Sequence, residues 1–338
     1  MIYCRLMNRF LRRALLTCFL AGLFPAVAAA ATLPSTTTPS PPPPPPPAGG
    51  SLQLKLPAMF VVHHQLVTVP RRGVTVLGIV RPYVADQWVT VTAYVGRHRF
   101  KRRRVLIKPA KHGREGRFTL RISSPRPGTV TVAVTHSRSL HQVGFKRHRR
   151  FTVLVRGAGF GSTGRFVQLI QQRLAALRIY VRQSGVYDGA TGLAIDTYHR
   201  LLGWGTSQQL DSGTISYLLN GWGRFRVHYP SHGKHAEGDL GRQLLALING
   251  SKVYAIYPIS SGKPSTPTVM GNFRVYRRVP GFQPDGMFYS SYFTGGYAIH
   301  GYNPAPDYPA SHGCMRLPIP DAIPVYNWLN FGDRVDVY

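Results

Sequence analysis

The run Ser311-His312-Gly313-Cys314-Met315-Arg316, near the C-terminus, is the most informative stretch of this 338-residue chain. The chain has two other cysteines, Cys4 and Cys18, and both lie in a segment with the character of a removable export signal. Export would leave Cys314 as a single thiol without a disulfide partner. A lone cysteine beside histidines is a candidate nucleophile, because a neighbouring base generates the thiolate that attacks carbonyl groups. A buried, inert cysteine is the alternative.

A second element, Ala298-Ile299-His300-Gly301, ends a predicted strand that begins at Gly295. Both His300 and His312 are candidate bases for Cys314, because each could take up the thiol proton and later protonate a leaving amine. The same three side chains are also of the kinds that bind zinc. A zinc ion would suppress the thiolate as a nucleophile, so the zinc site and the nucleophile exclude each other. We expect no metal here.

Together the two elements resemble the YkuD family of L,D-transpeptidases, whose signature pairs a histidine-glycine with [Ser/Thr]-His-Gly-Cys, an apolar residue, and Arg or Asn. The run Thr266-Pro267-Thr268-Val269-Met270-Gly271-Asn272-Phe273 is similar to the family's Thr-Pro-x-Gly-x-Phe segment. The resemblance implies a β-rich catalytic domain over residues 225–338 that needs no cofactor. It also implies that Cys314 is the nucleophile and that His300 is the base, oriented by the backbone of Gly301.

The remaining motif residues receive roles around that pair. We expect His312 to shape the pocket, and the amides of Gly313 and Cys314 to stabilise an oxyanion. Substrate binding is assigned to Arg316, Ser311, Gly301 and Tyr297. Arg316 would either hold a substrate carboxylate or form a structural ion pair.

The resemblance implies a reaction on peptidoglycan stem peptides. Cys314 would attack the carbonyl after the third stem residue, the terminal D-alanine would leave, and an amine of a second stem would resolve the thioester into a cross-link. Water as the acceptor would make the protein an L,D-carboxypeptidase. A non-catalytic protein that binds the cell wall is the alternative from another class.

The N-terminus predicts export. Arginines precede an apolar run from Ala14 to Val27 and four alanines, which is the pattern of a signal peptide, here residues 1–30. Residues 31–50 form a proline-rich linker, because the run Pro41 to Pro47 favours an extended spacer. We therefore place the protein in the cell envelope, wall or periplasm, tethered to the membrane if the signal is retained.

The formal net charge of the chain is +30, and its basic residues concentrate in residues 97–121 and 138–156. Such charge can indicate nucleic-acid binding, but no nucleic-acid motif is present and the chain is predicted to be exported. Anionic wall polymers are the expected partner, by long-range attraction. A solvated basic face without a partner is the alternative, and no partner protein is implied.

Residues 51–156 show short alternating strands separated by Gly/Pro turns, a pattern that predicts an Ig-like β-sandwich. The predicted strands are 75–80, 89–95, 118–122, 130–134 and 151–155. No catalytic grouping stands out among them.

After a Gly/Ser-rich linker at 157–164, apolar residues recur every three to four positions, which predicts three short helices within 165–222. The run 171–177 and a predicted turn at Asp188-Gly189 resemble the peptidoglycan-binding domain 1 family, which implies glycan as a partner. Tyr198-His199 stands where the family has Phe-Gln, so a helical spacer without a ligand is the alternative.

Within 225–338 the sequence predicts a hairpin, 244–248 and 252–257, turning at Asn249-Gly250 in a type I′ geometry. A short helix is predicted over 321–329 and a closing strand over 333–338. A second set of polar residues precedes the hairpin: His228, His232, His235, Glu237 and Asp239. We predict a flexible, solvated connection there, with a metal site as the alternative.

Overall fold

The computed structural model describes residues 42–338. The predicted signal peptide, 1–30, and the first part of the proline-rich linker lie outside the described residues. Within 42–338, no helix has both the length and the apolar character that crossing a membrane requires.

The first module, residues 51–153, consists of ten strands. They are β1 (Ser51–Lys55), β2 (Phe60–Val62), β3 (Gln65–Thr68), β4 (Val74–Arg81), β5 (Trp88–Val95), β6 (His98–Leu106), β7 (Lys108–Ala110), β8 (Glu115–Ile122), β9 (Gly128–His136) and β10 (Phe145–Val153). They form a four-stranded sheet, β1-β4-β8-β7, and a six-stranded sheet, β2-β3-β10-β9-β5-β6. Inward-facing side chains of both sheets share one core, so the module is a β-sandwich. Its membership of the Ig class stays a prediction.

Two strongly basic segments of the sandwich are strands that the alternation pattern did not predict. β6 has the sequence HRFKRRRVL, and β10 begins with FKRHRR before its predicted apolar end. Most of these basic side chains are exposed. The register pairs Thr92 of β5 with Arg102 on one side and with Ala133 of β9 on the other. These basic segments are therefore strands because their backbones pair with neighbouring strands, although they bury few side chains.

Three helices follow, where the sequence predicted them: α1 (Arg165–Ala176), α2 (Gly189–Leu202) and α3 (Ser212–Asn220). The predicted turn at Asp188-Gly189 is instead the start of α2. Asp188 caps the helix, and its Oδ1 accepts a hydrogen bond of 2.9 Å from the Thr191 N–H. An aspartate is favoured at this position because it satisfies an amide that the first helical turn leaves free. Kinship of these helices with peptidoglycan-binding domain 1 stays a prediction.

The last module consists of nine strands and one helix, α4. They are β11 (Lys234–Asp239), β12 (Leu244–Asn249), β13 (Lys252–Pro258), β14 (Gly271–Arg274), β15 (Arg277–Phe282), β16 (Phe288–Thr294), β17 (Tyr297–Gly301), β18 (Met315–Leu317), α4 (Ile319–Trp328) and β19 (Arg334–Val337). A five-stranded sheet has the order β13-β12-β11-β19-β14, and a four-stranded sheet has the order β15-β16-β17-β18. The two sheets share an apolar core with α4.

The predicted hairpin between β12 and β13 is present, but its turn lies one residue later than expected. Asn249 pairs with Lys252 and belongs to the strand, so Gly250 and Ser251 are the central turn residues. Only Gly250 has a positive φ, at 60°. Glycine at the first central position is the requirement of a type II′ turn, not of the predicted type I′ turn.

The three helices and the five-stranded sheet share one apolar core. Leu244, Ala246 and Ile248 of β12 and Ile256 of β13 pack with buried residues of α1, α2 and α3. The chain after α1 also joins the edge of β13, where the Tyr180 N–H donates to the Ile256 carbonyl at 3.0 Å. The helices therefore cover one face of the sheet whose other face packs toward the four-stranded sheet.

Arg200 of α2 links the helices to the sheet through polar contacts. It is buried, and its Nη1 donates to the carbonyls of Gln243 and Ile259 at 3.0 and 3.1 Å. Its Nε lies 2.7 Å from Asp196 Oδ2, and both side chains are almost fully buried. A buried charge without a partner would be costly, and Asp196 of the same helix neutralises Arg200. The two bonds to carbonyls then fix α2 against the sheet.

The segment 228–239 was predicted to be a flexible and solvated connection. Its second part, residues 235–239, is instead buried, whereas residues 228–234 are exposed or half-buried. His235 and Glu237 have no exposed surface, and His235 Nε2 lies 3.2 Å from Glu237 Oε1. His232 Nδ1 lies 2.9 Å from Asp336 Oδ2. The prediction was wrong because β11 is the central strand of the five-stranded sheet, between β12 and β19. Its side chains are therefore enclosed on both faces.

Candidate active site

β17 and β18 bring the two sequence elements together. They pair in parallel, with Ile299 opposite Met315 and His300 opposite Arg316. Residues opposite each other point to the same face of a sheet, and the face alternates along each strand. Continuing the register by one residue places Cys314 beside Ala298. Cys314 and His300 therefore lie on the same face, two positions apart.

His300 is almost fully buried, with 2% of its surface exposed. Its Nδ1 lies 2.8 Å from the carbonyl oxygen of Gly301. A carbonyl only accepts hydrogen bonds, so the proton of the neutral ring sits on Nδ1 and Nε2 is free to accept one. Burial lowers the pKa of His300 to about 4, and the nearby Arg316 charge acts in the same direction. The imidazole is therefore uncharged at neutral pH.

Cys314 is half-buried beside Met287 and Tyr292 of the β15–β16 hairpin and Ala298. Its Sγ accepts a hydrogen bond of 3.4 Å from the Ala298 N–H. Burial raises the pKa of the thiol, although this amide and the Arg316 charge oppose the effect. With the imidazole also neutral, the resting pair is thiol and imidazole, and the proton would transfer as the nucleophile attacks.

A tight turn of residues 311–314 presents the thiol. The hydroxyl of buried Ser311 donates to the Cys314 carbonyl at 2.6 Å and accepts from the Gly313 N–H at 3.0 Å. Gly313 has φ +117°, and a Cβ there would lie 1.9 Å from Cε1 of Tyr297. Glycine is thus required both for the backbone conformation and for the space.

The same turn determines which of the two predicted oxyanion donors is free to donate. The Gly313 N–H is occupied by the Ser311 hydroxyl. The Cys314 N–H has no acceptor among the residues that the structure describes. Of the two predicted amides, that of Cys314 is therefore the one available to a developing oxyanion.

The Thr-Pro segment quoted from the sequence supports this turn. The Thr266 hydroxyl donates to the Ser311 carbonyl at 3.1 Å, and the Thr268 hydroxyl accepts from the Gly262 N–H at 2.9 Å. The carbonyl of Ser261 accepts from the Ser311 N–H at 2.9 Å. The preceding loop therefore holds the turn in position, through the Thr266 hydroxyl and the Ser261 carbonyl.

The other predicted site residues lie at the edge of this pair. His312 is exposed, and its Nε2 is 3.4 Å from Lys263 Nζ. Arg316 stacks on Tyr302, with Cζ 4.1 Å from the ring centroid, and its Nη1 is 3.4 Å from the Ala310 carbonyl. Within residues 42–338 no carboxylate lies within salt-bridge distance of Arg316. The structural ion pair considered for it is therefore not formed.

Sequence reasoning did not find the residues that enclose the site from the β15–β16 hairpin. Asp285, in the turn between these strands, is close enough that its charge acts on both His300 and Cys314. Its Oδ1 accepts from the Met287 N–H at 3.1 Å. The sequence Pro284-Asp285-Gly286 predicts only an ordinary turn. No sequence signal therefore connected Asp285 with the distant cysteine.

A zinc site was the alternative interpretation of His300, His312 and Cys314. In the part of the chain that the structure describes, no three His, Cys, Asp or Glu side chains are arranged to hold a metal ion. His300 directs Nδ1 at a carbonyl, and His312 faces solvent beside a lysine. These residues do not present a common set of ligands.

Comparisons with known proteins agree on this region. Residues 233–337 match the family model of the YkuD L,D-transpeptidase catalytic domain. A Bacillus subtilis (strain 168) protein named "Putative L,D-transpeptidase YkuD" is 35% identical over 107 residues, which cover 30% of this chain and 65% of that protein. The chain thus spans about two thirds of the length of that relative.

Two solved structures are also similar. The L,D-transpeptidase (residues 123–326) from Xylanimonas cellulosilytica DSM 15894 is 31% identical, with 54% of this chain and 97% of that chain covered and a TM-score of 0.49. The catalytic domain of the E. faecium L,D-transpeptidase acylated by ertapenem is 28% identical, with 32% and 98% covered and a TM-score of 0.27. Because the family match includes both His300 and Cys314, residues 233–337 of this chain are a YkuD-family L,D-transpeptidase catalytic domain.

Proposed function

We propose that the protein is a peptidoglycan L,D-transpeptidase that acts through a thioester on Cys314. The observation that carries the proposal is the placement of a half-buried thiol and a buried, neutral histidine on one face of paired strands. Cys314 Sγ attacks the carbonyl after the third residue of a tetrapeptide stem. His300 accepts the thiol proton at Nε2 and returns it to the nitrogen of the departing D-alanine.

The second half of the reaction reverses these roles. The amine of a second stem attacks the thioester carbonyl, His300 takes its proton, and the thiol is restored as the new amide forms. The Cys314 N–H would stabilise the oxyanion in both halves, and one such donor contributes about 3–4 kcal/mol to the transition state. Water in place of the amine would give the L,D-carboxypeptidase reaction by the same intermediate.

The contacts of the two histidines support His300 as the base. Its ring is fixed by the Gly301 carbonyl and shielded from solvent. His312 is exposed and lies against Lys263. A fixed, neutral imidazole is the better proton acceptor, because a base must hold its orientation throughout the proton transfer.

Turnover of purified tetrapeptide stems, with products identified by mass, tests the proposal. We expect release of D-alanine and a cross-linked dimer in the wild-type protein. His300→Ala should abolish both products, and His312→Ala should only reduce them. Free tripeptide without a dimer would assign the carboxypeptidase reaction. No D-alanine release from the folded protein, with other stems also tried, would favour a wall-binding protein without activity.

A further inference from the structure

Eight basic side chains line two neighbouring cavities where the β-sandwich, the helices and the β12–β13 hairpin meet. One cavity, of about 640 Å³, is lined by Arg173, Arg178, Arg224 and Lys252. The other, of about 340 Å³, is lined by Arg71, Arg72, Arg121 and Arg156. Asn220, the last residue of α3, lines both cavities. The two cavities therefore adjoin, and together we call them the junction groove.

The charges of the junction groove are not neutralised by the protein. Within the described residues 42–338, no carboxylate lies within salt-bridge distance of any of the eight side chains. Residues 51–156 contain only two acidic residues, Asp86 and Glu115. Glu115 is buried and already bound by Arg81 and Arg117. A concave surface of one sign concentrates ions of the opposite sign.

Several of the guanidinium groups are held in place. Arg72 Nη1 donates to Asn220 Oδ1 at 3.1 Å, and its Cζ lies 4.7 Å from the ring centroid of Phe60. Arg173 packs on the same ring at 5.5 Å and donates to the Leu218 carbonyl. Burial and the charges of Arg173 and Arg121 lower the pKa of Arg72. The folded protein therefore keeps like charges close together, and a bound anion would reduce the repulsion between them.

We propose that the junction groove binds a linear polymer of repeated phosphodiesters. Seven of the eight cations are arginines, whose planar fork matches two oxygens of a phosphate. Charges from three modules form one elongated surface, which suits a chain of anions better than a single ion. The groove has one ring in its lining, that of half-buried Phe225. Proteins that bind single-stranded nucleic acids instead stack bases on exposed aromatic rings.

The experiment uses the full chain and poly(glycerol phosphate) as the probe. Binding is measured by calorimetry at several salt concentrations, and the melting temperature is recorded with and without the probe. Arg71→Gln/Arg224→Gln removes one exposed charge from each cavity. Arg99→Gln/Arg102→Gln removes the same charge from exposed positions of β6 that line neither cavity. Melting curves of both variants without the probe establish that they fold.

We expect the probe to bind with an affinity that falls with salt, because counterions are released. It should raise the melting temperature, because a ligand of the folded state stabilises it. The groove variant should bind about tenfold more weakly, which corresponds to the loss of one or two charged contacts. The β6 variant should remain within about twofold of the wild type.

Three results would overturn the inference. Equal weakening in both variants would show that net charge alone attracts the probe. No binding in low salt would show that the groove is only solvated. Tighter binding of a single-stranded oligonucleotide of equal charge, lost in the groove variant, would assign the groove to nucleic acid. Failure of the stem-turnover assay would leave this inference untouched, since none of the groove residues belongs to the site around Cys314.

Discussion

At the scale of single residues, the site depends on groups that keep their neighbours in one chemical state. The Gly301 carbonyl fixes the tautomer of His300, and burial keeps that ring neutral. Ser311 holds the turn that presents Cys314. Sequence reasoning could identify the cysteine and the histidine because their motif is local. It could not find Asp285, whose effect arises only when a distant hairpin packs over the thiol.

The first prediction concerns the pH dependence of Cys314 alkylation by iodoacetamide. Burial raises the pKa of the thiol above its ordinary value of 9.0, and the pKa of His300 is about 4. The thiolate fraction should therefore rise with pH through the neutral range, and alkylation should still accelerate above pH 9. His300→Ala should change this profile little, because the resting histidine carries no charge. A plateau between pH 5 and about 8 would indicate a thiolate–imidazolium pair instead.

The second prediction concerns Gly313→Ala. Alanine at this position would have to adopt a φ of +117°, which is strained for any residue with a Cβ. Its Cβ would also overlap the Tyr297 ring. We expect the free energy of unfolding to fall by about 1–3 kcal/mol. Acylation of Cys314 should slow at least about tenfold, because a shift of the turn misplaces the thiol. Gly296→Ala is the matched control, since its Cβ would meet nothing within 4 Å. Equal effects of both substitutions would contradict the account.

At the scale of elements, local patterns located the four helices and about half of the strands within residues 42–338, but not their ends or partners. Four strands of the sandwich (β4, β5, β8 and β9), the end of β10 and α1 to α3 follow from alternation and from three-to-four-residue spacing. The basic strand β6 and the basic first part of β10 were missed because exposed residues of a strand carry no apolar signal. The burial of residues 235–239 was missed because the central place of β11 depends on β19, about 100 residues later.

The third prediction concerns the joint between α2 and the five-stranded sheet. Arg200→Met would leave Asp196 buried without its cationic partner and would remove two hydrogen bonds to carbonyls beside the sheet strands. Breaking a buried pair in this way costs about 3–5 kcal/mol, which thermal unfolding would detect as a lower melting temperature. Arg182→Met, at an exposed position of the same module, should change stability by about 0.5 kcal/mol or less. An unchanged melting temperature for Arg200→Met would show that these contacts of Arg200 contribute little to the stability of the fold.

At the scale of the whole molecule, the helices and the catalytic domain are not independent units. Residues 244–256 of the sheet pack into the same core as α1, α2 and α3. The sequence predicted a boundary near residue 223, because the periodicity changes there from helix to strand. Periodicity reports which face of an element is apolar, but not which distant element covers it. Whether the helices also bind glycan stays a prediction.

The fourth prediction follows from that shared core. A fragment of residues 225–338 would expose Leu244, Ala246, Ile248 and Ile256, which the helices cover in the full chain. We expect it to aggregate or to unfold without cooperativity, since each uncovered large aliphatic side chain forfeits about 1.5–3 kcal/mol. The full chain should melt cooperatively under the same conditions. A soluble 225–338 fragment with an equal melting temperature would contradict the shared core.

The central claim is that Cys314 forms a covalent acyl-enzyme, and intact-mass measurement after incubation with a carbapenem tests it most directly. The strained β-lactam carbonyl acylates a reactive thiol, and ring opening retains the whole carbapenem in the adduct. The account predicts one adduct on the wild-type protein, mapped to Cys314 and absent from Cys314→Ala, with strong slowing in His300→Ala. An adduct that persists in Cys314→Ala, or no adduct on a folded protein with a free thiol, would contradict it.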